Sequence, residues 1–266
     1  MNNTPPLVMT FSALDSTGGA GLTADALTLF ALGCHPLSIA TGLTIQNTSN
    51  LADFQILSSD FVEKSARLIL EESQVCAFKI GVVGSDKNAE IIAKILDDYN
   101  AIPVVFDPIL KATSGAELAT KNYIAAARQY LIPKANVITP NLVELAALCP
   151  ELKNASPSDC AEFLFQQGAQ DILATGGDAK SAAIQNTWFS KNGKQTFLSP
   201  RLVGQFHGSG CTLSSAIAAF LAHGKALDSA IPNALEWTWQ SLENAFQSGK
   251  SQKTPQRFCF KESADQ

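Results

Sequence analysis

At 266 residues, 46% apolar and only 16% charged, the chain buries a sizeable core and is long enough for one domain over 1–266, its ordered part expected at about 7–247. A net charge of −5 without any Lys/Arg run argues against a nucleic-acid partner but leaves room for an anionic small molecule, which backbone N–H groups at a helix end can hold. No window reaches about 18 unbroken apolar residues and MNNTPPLVMTF has no basic region, so neither membrane span nor signal peptide is expected and the compartment reads as cytoplasm.

In chain order, residues 7–14 read as a strand, Gly18 and Gly19 punctuate it, and 20–32 read as a helix ended by Gly33. A strand at 37–45 follows, then a helix at 61–72, a strand at 77–83, a helix at 88–99 and a strand at 104–106 closed by Asp107-Pro108. Residues 124–131 are helical, 136–138 a strand, 142–148 and 159–167 helical, and 172–174 a strand broken by Gly176-Gly177. Segments 182–189 and 195–197 flank Lys191-Asn192-Gly193, a hairpin signal, and helices at 209–223 and 226–246 close the pattern. The strands are continuous apolar runs, the mark of a parallel sheet covered on both faces. Alternation with short links predicts a doubly wound α/β domain, with its ligand outside the carboxyl ends of the strands.

Six cysteines (Cys34, Cys76, Cys149, Cys160, Cys211, Cys259) are widely spaced and form no C-x-x-C pair, which disfavours zinc, redox and disulfide readings. Most fit as buried apolar thiols. Cys211 stands apart, in His207-Gly208-Ser209-Gly210-Cys211-Thr212 at the start of a small-residue helix. Glycines admit a ligand close to the backbone, and the first helical turn offers unpaired N–H groups to a phosphoryl group. There Cys211 is expected to have a lowered pKa and to accept a proton from an alcohol. A glycine turn beside a buried thiol has the same appearance, and no Gly-Lys-Ser/Thr follows, so this is not a Walker loop.

The stretch Ser16-Thr17-Gly18-Gly19-Ala20-Gly21-Leu22-Thr23-Ala24-Asp25 is a second glycine turn between strand and helix; an ordinary helix start with a solvated Asp25 is the alternative. Its glycine spacing disfavours a Rossmann dehydrogenase. Asn141 and Glu144 match a capping box, or else hold a hydrated Mg²⁺. Asp107 at a strand end reads as a turn or a crevice residue. Gln46 reads as a loop residue, or as an amide suited to the edge of a heterocycle. His207 fits loop packing better than general-base work.

From about Val8 to about Phe246, these segments resemble the bacterial hydroxymethylpyrimidine/phosphomethylpyrimidine kinases of the ribokinase-like superfamily, through S-T-G-G-A-G-L-T-A-D, Q-N-T, K-I-G-V-V, V-F-D-P, I-T-P-N-L-V-E and H-G-S-G-C-T-L-S in order. The resemblance implies a three-layer α/β/α sandwich around a central, mostly parallel sheet. It implies ATP-dependent, Mg²⁺-dependent phosphorylation of 4-amino-5-hydroxymethyl-2-methylpyrimidine and its monophosphate in thiamine biosynthesis, by a cytoplasmic homodimer. By position, Asp25 and Gln46 would hydrogen-bond the pyrimidine, with Ala20, Gly21 and Val82 lining its pocket. Gly208, Ser209, Gly210 and Cys211 would hold the transferring phosphoryl group, with Cys211 as base. Asp107, Asn141, Glu144, Thr175 and Gly177 would attend Mg²⁺ and ATP, Glu144 reaching the metal through water. Thr175 and Thr113 stand where the family has lysines, and Ser12-Ala13-Leu14-Asp15 lacks a usual glycine. The lost lysines weaken the second phosphorylation most, and Lys111 is expected to compensate in part. Two alternatives stay open: pyridoxal kinase-like activity, and a non-catalytic pyrimidine-binding protein.

Overall fold

The structure, a computed structural model, describes residues 4–111, 120–177 and 182–258. Its strands are β1 (Leu7–Leu14), β2 (His35–Gln46), β3 (Leu51–Ile56), β4 (Val75–Ile80), β5 (Val104–Phe106), β6 (Val137–Ile138), β7 (Ile172–Ala174), β8 (Ala183–Ser190) and β9 (Gly193–Pro200). Its helices are α1 (Gly21–Ala31), α2 (Ser59–Leu70), α3 (Asp86–Asp98), α4 (Lys121–Ala126), α5 (Leu142–Ala147), α6 (Pro157–Gln166), α7 (Ser209–Ala222) and α8 (Leu227–Glu243). The strands form one sheet in the order β3-β2-β1-β4-β5-β6-β7-β8-β9. Pairing is parallel from β2 through β7 and antiparallel at both margins, where β3, β8 and β9 lie.

Alternation of side chains along each strand explains the unbroken apolar runs. Met9, Phe78, Phe106, Ile138 and Ile172 face one core with residues of α2 to α6. Their neighbours Val8, Ala77, Val105, Val137 and Leu173 face a second core with α1, α7 and α8. Both faces are therefore dry, and the architecture is the expected three-layer sandwich.

Three features depart from the expectation. β3 falls where no element is expected; its sequence LADFQI lies at the sheet margin with no buried residue, so it carries no continuous apolar signal. With β2 it forms a hairpin closed by Asn47, whose Oδ1 accepts from the Ser49 and Asn50 amides at 2.8 and 2.9 Å. The helix expected at 124–131 begins earlier, at Lys121, with Thr120 as its cap, and ends in a wider π-type turn at Ala127–Leu131. The ordered chain also runs past 247: Gln252, Thr254 and Arg257 are buried.

Candidate active site

Strand order reverses between β1 and β4. The chain winds outward from β1 to β3, then returns to the other side of β1. At such a switch point the loops above neighbouring strands diverge and leave a crevice. A cleft of about 410 Å³ occupies it, lined by Ala13 at the end of β1 and Asp15 just after it, Val82 after β4, Asp107 after β5, Asn141 after β6 and Thr175 after β7.

The tip of α7 closes this cleft. Gly208 caps the helix at φ 81, left-handed backbone that favours glycine. A Cβ there would collide with the Gly19 carbonyl oxygen, so the two glycine turns fit together only because neither carries a side chain. Gly208, Ser209, Gly210 and Cys211 all line the cleft, as do Ala20, Gly21 and Gln46. The Gln46 amide donates to Thr44 Oγ1 at 2.7 Å, which fixes its orientation at the end of the β2–β3 hairpin.

The glycine turn at 15–21 is shaped by Asp15. Its carboxylate accepts from the Thr17 amide (2.8 Å), the Thr17 hydroxyl (2.9 Å), the Ala20 amide (2.9 Å) and His207 Nε2 (2.7 Å). Burial alone would raise the Asp15 carboxyl; the hydrogen bonds from His207 and the Thr17 backbone reverse this and hold it below the usual range.

Below the cleft floor lies a buried charge cluster. Asp25 is fully buried and absent from the cleft wall, which corrects its expected contact with the pyrimidine. Its oxygens are occupied by Lys79 Nζ (2.8 and 3.0 Å), Thr10 Oγ1 (2.9 Å) and Ser215 Oγ (2.9 Å). Burial works to lower the Lys79 ammonium, but Asp25, with Cys211 and Asp107 beyond it, more than offsets this and holds it above its ordinary value. Asp107 accepts from Ser214 Oγ of α7 at 3.1 Å. Burial pushes its carboxyl up to about 6, against the pull of Lys79.

Cys211 corrects a second expectation. It sits at the helix tip, beside the cleft and only 5% exposed. Burial pushes its thiol up to about 12; Lys79 and a hydrogen bond to the Gly21 backbone pull it down, while Asp25 and Asp107 push the same way as burial. The expected lowering of this thiol is therefore reversed to a raising, because burial dominates its surroundings.

Asn141 and Glu144 form the capping box of α5. Glu144 Oε2 accepts from the Asn141 amide at 2.9 Å, and Asn141 Oδ1 from the Glu144 amide at 2.8 Å. Both also line the cleft, with Thr175, Gly177 and Lys111, so the cap and a ligand face coincide. Thr113 lies outside the described residues.

Sequence reasoning assigned no role to Lys79, Ser214, Ser215 or Arg257. Lys79 had a legible signal, one cation inside the apolar run VCAFKIGVV. Ser214 and Ser215 are hidden among small helix residues, and Arg257 sits in a polar tail without periodicity.

Against known proteins, the sequence profile described as phosphomethylpyrimidine kinase matches residues 15–256. The hydroxymethylpyrimidine/phosphomethylpyrimidine kinase of Escherichia coli (strain K12) is 31% identical over 89% of this chain and 91% of its own length. A chloroplastic thiamine biosynthetic bifunctional enzyme of Arabidopsis thaliana is 30% identical over 90% of this chain, which spans only 47% of that larger protein. Among solved structures, a phosphomethylpyrimidine kinase from Clostridium difficile superposes with TM-score 0.77 at 29% identity, covering 89% of this chain and 99% of that one. An ADP complex of Bacillus subtilis pyridoxal kinase superposes with TM-score 0.86 at 26% identity, covering 96% and 98%. With the profile spanning residues 15–256, and with Gly21, Gly208, Gly210, Asp107 and Glu144 of these motifs on one cleft wall, the chain belongs to the phosphomethylpyrimidine kinase family.

Proposed function

We propose that the cleft transfers the γ-phosphoryl group of ATP to the hydroxymethyl group of 4-amino-5-hydroxymethyl-2-methylpyrimidine, and then to the resulting monophosphate, in thiamine biosynthesis. The observation that carries this reading is the junction of the two glycine turns. It puts the α7 tip residues Gly208, Ser209, Gly210 and Cys211 on the same small cavity as Gln46, Val82, Ala20 and Gly21.

In this mechanism Gln46 offers donor and acceptor to the heterocycle edge, and Val82 and Gly21 pack against its face. The amides at 208–211 receive the equatorial oxygens of the transferring group. Phosphoryl transfer runs through a loose transition state in which positioning and charge neutralisation dominate. A neutral Cys211 thiol is compatible with that demand, so we assign its contribution to the helix-tip amide and the shape of the wall. Thr175 and Gly177 lie along the phosphate path, and Lys111 is the cleft-lining cation placed to stand in for the missing lysines.

Mg²⁺ fits a sparse set of oxygen donors. Asp107, Asn141 and Glu144 supply oxygens on the wall, and among the described residues no three His, Cys, Asp or Glu side chains cluster as a metal cage. Such a set suits an ion that keeps most of its water and phosphate ligands, with Glu144 reaching it through water, and that neutralises phosphate charge when bound. The homodimer and the cytoplasmic compartment are part of the same proposal. Sedimentation at twice the 28.2 kDa chain mass tests the first. Among the described residues no helix is long and apolar enough to cross a membrane.

The deciding experiment is incubation with Mg·ATP and the pyrimidine alcohol, read by mass spectrometry. Monophosphate and then diphosphate are expected; pyrimidine binding without product would sink the catalytic reading. The Bacillus subtilis superposition makes pyridoxal the control substrate, and faster turnover of pyridoxal would replace the pyrimidine assignment.

A further inference from the structure

We propose that Arg257 is a positioning residue that clamps the two glycine turns of the cleft together, delivered there by a strap over residues 248–257. The strap leaves α8, folds back, and is held at its base by an antiparallel bridge between Phe246 and Thr254 and by the Gln256 amide on the Ser241 carbonyl at 2.8 Å. It then fastens two loops of the cleft. The Ser251 amide donates to Thr48 Oγ1 (3.3 Å) and the Gln252 amide to the Thr48 carbonyl (3.4 Å), two residues from Gln46. The Lys253 amide donates to the Gln205 carbonyl and its carbonyl accepts from the His207 amide, both at 2.9 Å.

The strap ends by inserting Arg257, only 2% exposed, between the glycine turns. Its Nη2 donates to the Gly19 carbonyl (2.7 Å) and the Gly208 carbonyl (3.4 Å), Nη1 to the Gly18 carbonyl (3.3 Å), and Nε to Thr212 Oγ1 (3.0 Å). These acceptors are neutral. A guanidinium buried against carbonyls rather than a carboxylate is costly, and its rigid fork is what lets one side chain bond two chain segments at once. Burial pushes the group down to about 10, against the pull of the Asp25 and Asp15 carboxylates, so it stays a cation at neutral pH.

The consequence for the cleft follows from peptide geometry. Across a planar trans peptide the C=O and the next N–H point in opposite directions. The Gly208 carbonyl is held by the Thr212 amide (2.9 Å) and hydroxyl (2.8 Å) and from its other side by Arg257 (3.4 Å), which together turn the Ser209 N–H away, and Ser209 lines the cleft. Holding the Gly19 carbonyl likewise turns the Ala20 N–H onto Asp15. Arg257 thus ties the Gly19 and Gly208 peptides to each other without touching the ligand, adding to the bonds each makes within its own turn, and it fixes a positive charge behind the helix tip.

The catalytic part of this inference rests on the kinase reading; the mechanical part does not. Arg257→Gln and Arg257→Lys should be compared with the unaltered chain by hydrogen exchange and by turnover of Mg·ATP with the pyrimidine alcohol. In Arg257→Gln, exchange at 18–21 and 208–211 should rise about 10-fold while the central strands stay protected. Its kcat should fall about 100-fold with a KM for the pyrimidine changed less than about 3-fold, because misplaced donors cost the transition state rather than substrate binding. Arg257→Lys should fall between, since a point charge cannot span both turns. Unchanged exchange, a wild-type kcat in either folded variant, or failure of both variants to fold would overturn the clamp. If the unaltered chain itself fails to turn over, the substrate reading has failed and exchange alone decides.

Discussion

Cys211 and Lys79 show how burial changes what a residue type can do. A thiol in the first turn of a helix is expected to ionise easily, but here desolvation pushes it up to about 12. Cys211→Ala should therefore slow both phosphorylation steps by a similar factor, under about 10-fold. A loss of about 100-fold or more confined to the alcohol step, the scale of a lost general base, would restore the thiol as proton acceptor. Lys79 makes the complementary case. It is fully buried and its partner is Asp25, so Lys79→Met strands a carboxylate in the core. That should cost about 3–5 kcal/mol in urea unfolding, with part of it recovered in the double variant Asp25→Asn/Lys79→Met.

For the elements, what matters is how α7 approaches α1 and the sheet. Its run of Ser214, Ser215, Ala216, Ala218 and Ala219 is buried, and small side chains let the helix sit close to the sheet. Two of them serve the charges beneath the cleft, Ser214 on Asp107 and Ser215 on Asp25. Gly208 sets where the helix begins. Gly208→Ala should cut kcat about 100-fold, since the added methyl must push the Gly19 turn away. Gly224 has nearly the same backbone, φ 79, but open space where a Cβ would sit. Gly224→Ala should lower stability by about 1 kcal/mol and leave kcat unchanged, which separates the cost of left-handed backbone from the cost of collision.

Taken as a whole, the molecule carries several buried thiols whose ionisation opposes folding. Burial holds Cys34 at about 11 and Cys149 and Cys211 at about 12, above the about 8.5 of an unfolded chain. The native state keeps these protons after the unfolded state has lost them. The stability they contribute is present below about pH 8.5 and is lost as pH rises toward the folded values. Melting temperature should fall steadily from pH 8.5 to 10, and replacing the three thiols with Ala should flatten that slope. A slope unchanged by the replacements would show that other groups drive the alkaline loss.

Much of this organisation was legible in the linear chain, and the reason is local. Continuous apolar runs marked the buried parallel strands, and glycine clusters after strands marked the turns, because both depend on contacts within a few residues or on a layer that covers each strand regardless of what the layer is. Gly208 in its glycine turn, Gln46 at a strand end, and Asn141 and Glu144 in a capping-box pattern all lie on the cleft wall. β3 escaped because it is an edge strand with no buried residue and so has no continuous apolar run. Tertiary structure alone decided that Asp25 turns inward to Lys79 rather than lining the cleft, that burial pushes the Cys211 thiol up rather than down, and that Arg257, 45 residues beyond Thr212, closes the back of the site. Each is a matter of which distant groups share a low-dielectric space, and neither charge nor desolvation has a period along the chain from which it could be read.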